Sequence, residues 1–133
     1  MILDKQLMFE ESAAAITASR ASTNVLDLGS ADAGKTEGLE IFARTTEAFN
    51  NLTSLGIKLQ TATDAAFSSP VDLPAQETIT LASGGLAINK EVLRTPLPKG
   101  CLRYVRLYYT VTGTAPTTGK ITGGLILNRQ TNP

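Results

Sequence analysis

Residues 29–36 read Gly-Ser-Ala-Asp-Ala-Gly-Lys-Thr, which places Gly29, Gly34, Lys35 and Thr36 at the G-x-x-x-x-G-K-[ST] spacing of a phosphate loop. That chemistry needs backbone N–H groups around the phosphates and a helix starting at the lysine, with its free N–H groups and dipole aimed at the anion. The preceding VLDL run is strand-like, as the motif requires. The residues after Thr36 do not comply. Gly38 falls in the would-be first helical turn, and residues 39–46 (LEIFARTT) alternate with period two rather than 3.6. Asp64 and Asp72, the acids left to hold Mg²⁺, lie in a turn-rich stretch and not at the end of a buried parallel strand. A flexible Gly-rich loop between strands is the favoured reading. A small nucleotide-binding protein built on Gly29 to Thr36 is the alternative.

Other reactive arrangements are thinner still. The sequence contains no histidine, which removes the commonest general base and metal ligand and excludes Ser-His and Cys-His catalysis. Its one cysteine, Cys101, forms neither an intrachain disulfide nor a thiolate cluster and suits a reducing compartment. Lys99 and Arg103 flank it and would lower its pKa, but a lone cysteine reads first as a small packing residue. Asp27 with Asp32, or Glu40 with Glu47, are conceivable carboxylate pairs whose spacing instead fits outward positions on strands and loops. Tyr104, Tyr108, Arg103 and Arg106 on one strand suggest a base-stacking platform, against which stands the plainer reading of a polar sheet face. The expectation is no enzyme, no cofactor, no metal, and no catalytic residue.

The elements that would position these groups are β-strands. With 133 residues the chain has the length of one domain, large enough to bury about two-thirds of the surface it exposes unfolded. Charge is balanced, twelve basic against twelve acidic residues, so a dedicated nucleic-acid binder is not expected. It is unevenly spread: residues 1–66 hold five basic and nine acidic groups, residues 67–133 seven and three, a polarity that suits docking on a charged protein surface. No run approaches the roughly 18 apolar residues of a membrane helix, and the N-terminus lacks the layout of a secretion signal.

Eighteen threonines, mostly in short runs with Val, Ile, Leu and Tyr, favour strands. Residues 24–28 predict a strand with Val25 inward, and residues 39–46 one with Leu39, Ile41 and Ala43 inward and a wet face opposite. Residues 55–61 bury Leu55, Ile57 and Leu59, residues 77–81 bury Ile79 and Leu81, and residues 64–74 connect the two. Residues 103–112 send Val105, Leu107, Tyr109 and Val111 to one face. They are expected to form a hairpin with residues 120–128 through a seven-residue loop, and Gly123 and Gly124 imply a bulge or a close backbone approach. Residues 1–22 read as an N-terminal arm, with Leu3, Leu7 and Phe9 alternating and a short helix possible over residues 11–16; residues 23–133 form the folded domain. The expected fold is all-β, an antiparallel β-sandwich of jelly-roll type with an extended N-terminal arm.

Several long strings point the same way: MILDKQLMF at the start, ASTNVLDLG over residues 21–29, LQTATDAAFSSP over 59–70, and PLPKGCLRYVRLYYTVTGT over 96–114 followed by GKITGGLIL. Together they resemble the capsid cement (decoration) proteins of tailed bacteriophages related to the Bordetella podovirus. The resemblance covers most of the chain and implies a jelly roll on the outer surface of an icosahedral shell. It would be made in the host cytoplasm and would bridge subunits of a major capsid protein with an HK97-like fold, as a homo-oligomer, dimer before trimer. It carries no active-site residues, and no nucleic-acid or membrane partner is expected. The residues read from the arm as shell or subunit contacts are Leu3, Leu7 and Phe9, which would lie along a neighbour's sheet edge. A jelly-roll module touching host glycans is a further alternative, weakened by the absence of Trp and the presence of only three Tyr.

Overall fold

A computed structural model describes residues 8–11, 15–27, 39–96 and 102–127. Among the described residues, strands run in chain order as β1 (Met8–Glu11), β2 (Arg20–Ala21), β3 (Leu26–Asp27), β4 (Leu39–Glu47), β5 (Leu52–Ala62), β6 (Val71–Thr80), β7 (Glu91–Pro96), β8 (Tyr104–Gly113) and β9 (Lys120–Leu127), with a 3-10 turn at Leu81–Ser83. They make two antiparallel sheets, β1-β9-β4-β7 and β2-β8-β5-β6, with β3 also on β8. The pairing is nested. β1 pairs with β9, β2 and β3 with β8, β4 with β7, and β5 with β6, which is a long antiparallel ribbon rolled into a two-layer sandwich, the jelly-roll order.

Period-two alternation builds the core. Leu55, Ile57 and Leu59 of β5 and Val105, Leu107 and Tyr109 of β8 are all buried, and they pack with Ile41 and Ala43 of β4 and Ile121 and Leu125 of β9. A strand buries every second side chain on one face, so each strand supplies the core from alternate positions. Burial of this apolar set supplies the main driving force for the two sheets to close on each other.

The structure corrects several expectations. Residues 103–112 and 120–128 do not form a hairpin: β8 and β9 belong to opposite sheets, and residues 114–119 carry the chain across the sandwich. That crossing is tied down by Asn50, whose Oδ1 accepts from Thr117 N at 2.8 Å and Thr118 N at 3.3 Å, and by Glu47 Oε1, which accepts from Gly119 N at 2.9 Å. Strand β6 starts at Val71, well before residue 77, and contains Pro74. Proline is tolerated there because β6 is an edge strand and bulges at that point, its register passing from Gln60↔Asp72 to Lys58↔Gln76. Strand β7 has no counterpart in the alternation pattern; a register shift at Ala43/Arg44 leaves Val92 and Leu93 both buried and breaks the period.

Val25 is 38% exposed, and its neighbour Leu26 is the buried residue of β3. Phe42 is not on a wet face, for it is buried with Met8 in a small cluster separate from the main core. No helix forms at residues 11–16 among the described positions, since Glu11 closes β1 and Ile16 is a core residue whose N–H donates to Gly119 O at 2.8 Å.

The glycine pair in β9 marks the expected close approach. A Cβ at Gly123 would lie 2.9 Å from Phe42 O and 3.2 Å from Ala43 Cβ, while Gly124 stands between Met8 of β1 and Phe42 of β4 in register. Overpacking a filled interior costs about 1–3 kcal/mol. Gly123→Val is expected to lower the unfolding free energy by about that amount in urea denaturation, with no change expected for a substitution at the exposed Thr112.

Candidate functional site

The N-terminal contact residues fare unequally. Leu3 and Leu7 lie outside the described residues. Phe9 is a fully buried core residue and is no surface contact. Residue 22 is correspondingly not a boundary between arm and domain. β1 pairs with β9, β2 pairs with β8, and Ser22 exchanges bonds with Leu107, N to O at 2.7 Å and Oγ from Leu107 N at 3.1 Å. The edge of β1 is closed by Asn24, which donates through N to Phe9 O at 3.0 Å and through Nδ2 to Met8 O at 3.2 Å.

Between the two sheets sits a charged group that sequence reading did not single out. The register of β1 against β9 slips between Met8 and Glu10, a bulge that turns Phe9 into the core and brings Glu10 inward as well. Glu10 has no solvent exposure. Its Oε1 accepts from Tyr109 Oη at 3.0 Å, Thr23 N at 3.0 Å and Arg20 Nη1 at 3.2 Å, and its Oε2 from the Thr23 hydroxyl and Arg20 Nη2. The Arg20 guanidinium also lies 5.4 Å from the Tyr109 ring centre. Every lone pair is used, so the carboxylate is a fastener joining β1 to β8 and to the chain around residue 23, with no free edge for acid–base work. Burial, then the adjacent Glu10 charge and hydrogen bond, push the Tyr109 hydroxyl well above its ordinary value.

The candidate carboxylate pairs dissolve in the same way. Asp27 receives both Nε and Nη2 of Arg103, at 2.8 and 3.0 Å; Asp32 lies outside the described residues. Glu40 and Glu47 sit seven residues apart on β4, about 24 Å along an extended strand, where Glu40 pairs with Arg94 at 2.9 Å and Glu47 holds the Gly119 amide. Cys101 and residues 29–36 lie outside the described residues. The stretch after Thr36 is nonetheless informative: β4 begins at Leu39, in register with β9, so only Glu37 and Gly38 separate it from Thr36 where a phosphate loop needs turns of helix. Among the described residues no cluster of His, Cys, Asp or Glu could hold a metal ion, and no helix is long and apolar enough to cross a membrane.

The outer face of the β8 sheet is a regular, mostly polar surface. Three rows cross it in register: Thr80–Ser54–Thr112, Thr78–Gly56–Thr110 and Gln76–Lys58–Tyr108. A fourth, Asp72–Gln60–Arg106, is linked side chain to side chain, Arg106 Nε donating to Gln60 Oε1 at 2.9 Å and Gln60 Nε2 to Asp72 Oδ1 at 3.0 Å. Lys58 completes it with a 2.9 Å bond to Asp72 and lies over the Tyr108 ring. The Lys58 and then the Gln60 hydrogen bond hold the Asp72 carboxyl below its usual range. Its stabilising contribution is therefore present above the ordinary carboxylate pKa and is lost as pH falls through the folded value, and for so exposed a pair it stays under about 1 kcal/mol. Tyr104, Arg106 and Tyr108 do share this face, as read from the sequence, and Arg103 folds over Tyr104 at 5.1 Å. Lys58 and Arg103 are bonded to aspartates, while the Nε of Arg106 is bonded to the neutral Gln60. The depression around Gly56 has a volume of about 230 Å³.

Tyr109 supplies a pH test with a defined sign. A raised folded pKa means that its contribution is complete below pH 10 and is lost as pH rises above it. Thermal melting between pH 9 and 11.5 is expected to show a steeper loss of stability in the wild type than in Tyr109→Phe, which should itself be less stable at neutral pH by about 1.5–3 kcal/mol for one hydrogen bond to a charged group.

No curated protein matches the sequence. The Bbp16 family model aligns with residues 11–125, spanning the sandwich from the end of β1 into β9. On that match, the chain belongs to the Bbp16 family.

Proposed function

We propose that the chain is a non-enzymatic bacteriophage virion protein, a decoration or cement protein that sits on the outside of an icosahedral shell and staples neighbouring major capsid subunits of HK97-like fold. The observation that carries this reading is family membership over residues 11–125, under a name that points to a Bordetella phage protein, in a chain whose strands follow jelly-roll order. The side-chain chemistry supports it. The buried carboxylate is consumed by the fold, and no buried polar side-chain atom among the described residues is left without a partner.

Binding of this kind relies on many modest contacts. A rigid sandwich presents a fixed surface, and residues 1–7, which precede the anchored β1, supply Leu3 and Leu7 as contacts with a neighbouring subunit's sheet edge. A homo-oligomer, a dimer before a trimer, engages two or more shell subunits at once, and linked sites bind far more tightly than either does alone. Icosahedral repetition then places the same staple at every equivalent junction.

Co-sedimentation of the purified chain with expanded shells lacking it tests the reading. The full chain is expected to saturate the shells and to raise their melting temperature. Deleting residues 1–7, which stops short of the core residue Phe9, is expected to reduce occupancy while leaving the sandwich folded by circular dichroism. Failure of the full chain to bind such shells would refute the assignment; full occupancy by the truncated chain would instead refute the role of Leu3 and Leu7.

A further inference from the structure

The two sheet faces that look outward are not equivalent. On the β4 sheet, Met8 and Phe42 straddle Gly124 and are already covered, at 5% and 3% exposure, and Arg94 is held by Glu40 and Glu91. On the β8 sheet, Thr78, Thr80, Thr110 and Thr112 stand exposed around Gly56.

Gly56 is out of place on internal grounds. It lies in β5, a strand paired on both sides, where glycine weakens the sheet. The register is unbroken there, the slips of β5 lying at Leu52/Ser54 and Lys58/Gln60. A Cβ would meet nothing nearer than Thr110 Cβ at 3.6 Å, an ordinary contact. Among the described residues neither the backbone nor the packing requires glycine at 56, and a strand glycine without an internal reason often marks a place where a ligand or another backbone comes close.

A second feature lies on the same face, four residues along β8 from Thr110 and thus about 14 Å away. Arg106 has no carboxylate partner among the described residues, in contrast to Arg20, Lys58, Arg94 and Arg103. Arg44, Lys90 and Lys120 also lack one among the described residues, but Arg106 is held on two sides: its guanidinium lies over Phe67 at 4.2 Å and its Nε is bonded to the neutral Gln60. Phe67 is held beneath it at a φ of 53°, a conformation that a bulky side chain adopts at a cost. A half-buried arginine fixed by its face and its Nε, with both terminal nitrogens making no hydrogen bond among the described residues, is a fork set for a carboxylate.

Resting on the decoration-protein reading, we infer that the outer face of the β8 sheet is the surface that meets the shell. A projecting main-chain segment of the major capsid protein seats over Gly56 between Thr78 and Thr110, and an Asp or Glu beside that segment is received by Arg106. Since Lys58 and Arg103 are matched by Asp72 and Asp27, the face offers little net field, and the single fork sets the register of docking rather than its long-range attraction.

The test is a binding titration of the full chain on expanded shells lacking it, read by co-sedimentation. Gly56→Arg and Thr110→Arg each place a long side chain on the exposed face, and both variants are checked for wild-type melting. Either is expected to weaken binding at least tenfold. Arg106→Lys keeps the charge and removes the fork, and is expected to weaken binding several-fold; Arg44→Gln, on the other sheet, is expected to bind as wild type. If the wild type binds and the Gly56, Thr110 and Arg106 variants bind within twofold of it, the surface assignment is overturned and the decoration reading stands. If the wild type does not bind shells, the decoration reading falls first. A glycan array that captures the wild type and loses signal with Gly56→Arg would give the trough to a sugar and overturn the assignment.

Discussion

A carboxylate without solvent, Glu10, holds the two halves of the sandwich in relation to each other. Removing an ion from water is costly, and the cost is offset only where partners are close and complete. Here Tyr109 of β8 and Arg20 of β2 approach from the opposite sheet and Thr23 from the link between β2 and β3, and a bulge in β1 makes the carboxylate reach them. The small residues Ala43 and Gly123 in the facing positions of β4 and β9 leave room on the inner face beside Phe9 and Glu10. The sandwich could close in many ways around an apolar core, since apolar contacts are non-directional. A buried carboxylate bonded to a phenol, a hydroxyl, an amide and a guanidinium is directional where the apolar contacts are not, and removing one partner leaves an uncompensated charge.

The same economy governs the surface. Cations over much of the described surface are met by carboxylates, Arg94 by Glu40 and Glu91, Arg103 by Asp27, Lys58 by Asp72, and aromatic rings are overlaid by Lys58 and Arg103 in turn. Exposed pairs of this sort add little stability. Their effect is to leave a quiet outer face on which uncompensated features, such as the fixed Arg106 and the unneeded Gly56, stand out.

Legibility in the sequence tracked the regularity of the strands. β4, β5 and β8 keep strict alternation over most of their length, so Ile41, Leu55, Ile57, Leu59, Val105, Leu107 and Tyr109 could be placed in the core from period alone. β1 and β7 could not, because each carries a register slip that puts neighbouring side chains on one side, Phe9 with Glu10 and Val92 with Leu93. The error over β8 and β9 has a different source: two alternating runs separated by a short Gly- and Pro-containing loop look alike whether the loop doubles back within a sheet or steps across to the other. Phe42 misled because alternation says which residues share a face and not whether the second face is also covered. Glu10 gave no signal, since nothing local distinguishes a carboxylate destined for burial from one on the surface.

The nesting of the ribbon has a temporal side. β1 can find its partner only when β9 has left the ribosome, about a hundred residues later, and Glu10 waits nearly as long for Tyr109. Contacts so distant along the chain make for slow acquisition of the native state. During synthesis the nascent N-terminal half has Phe9, Ile16 and Ile41 without the β8 and β9 residues that pack with them in the core, so β1 is among the last strands to be locked.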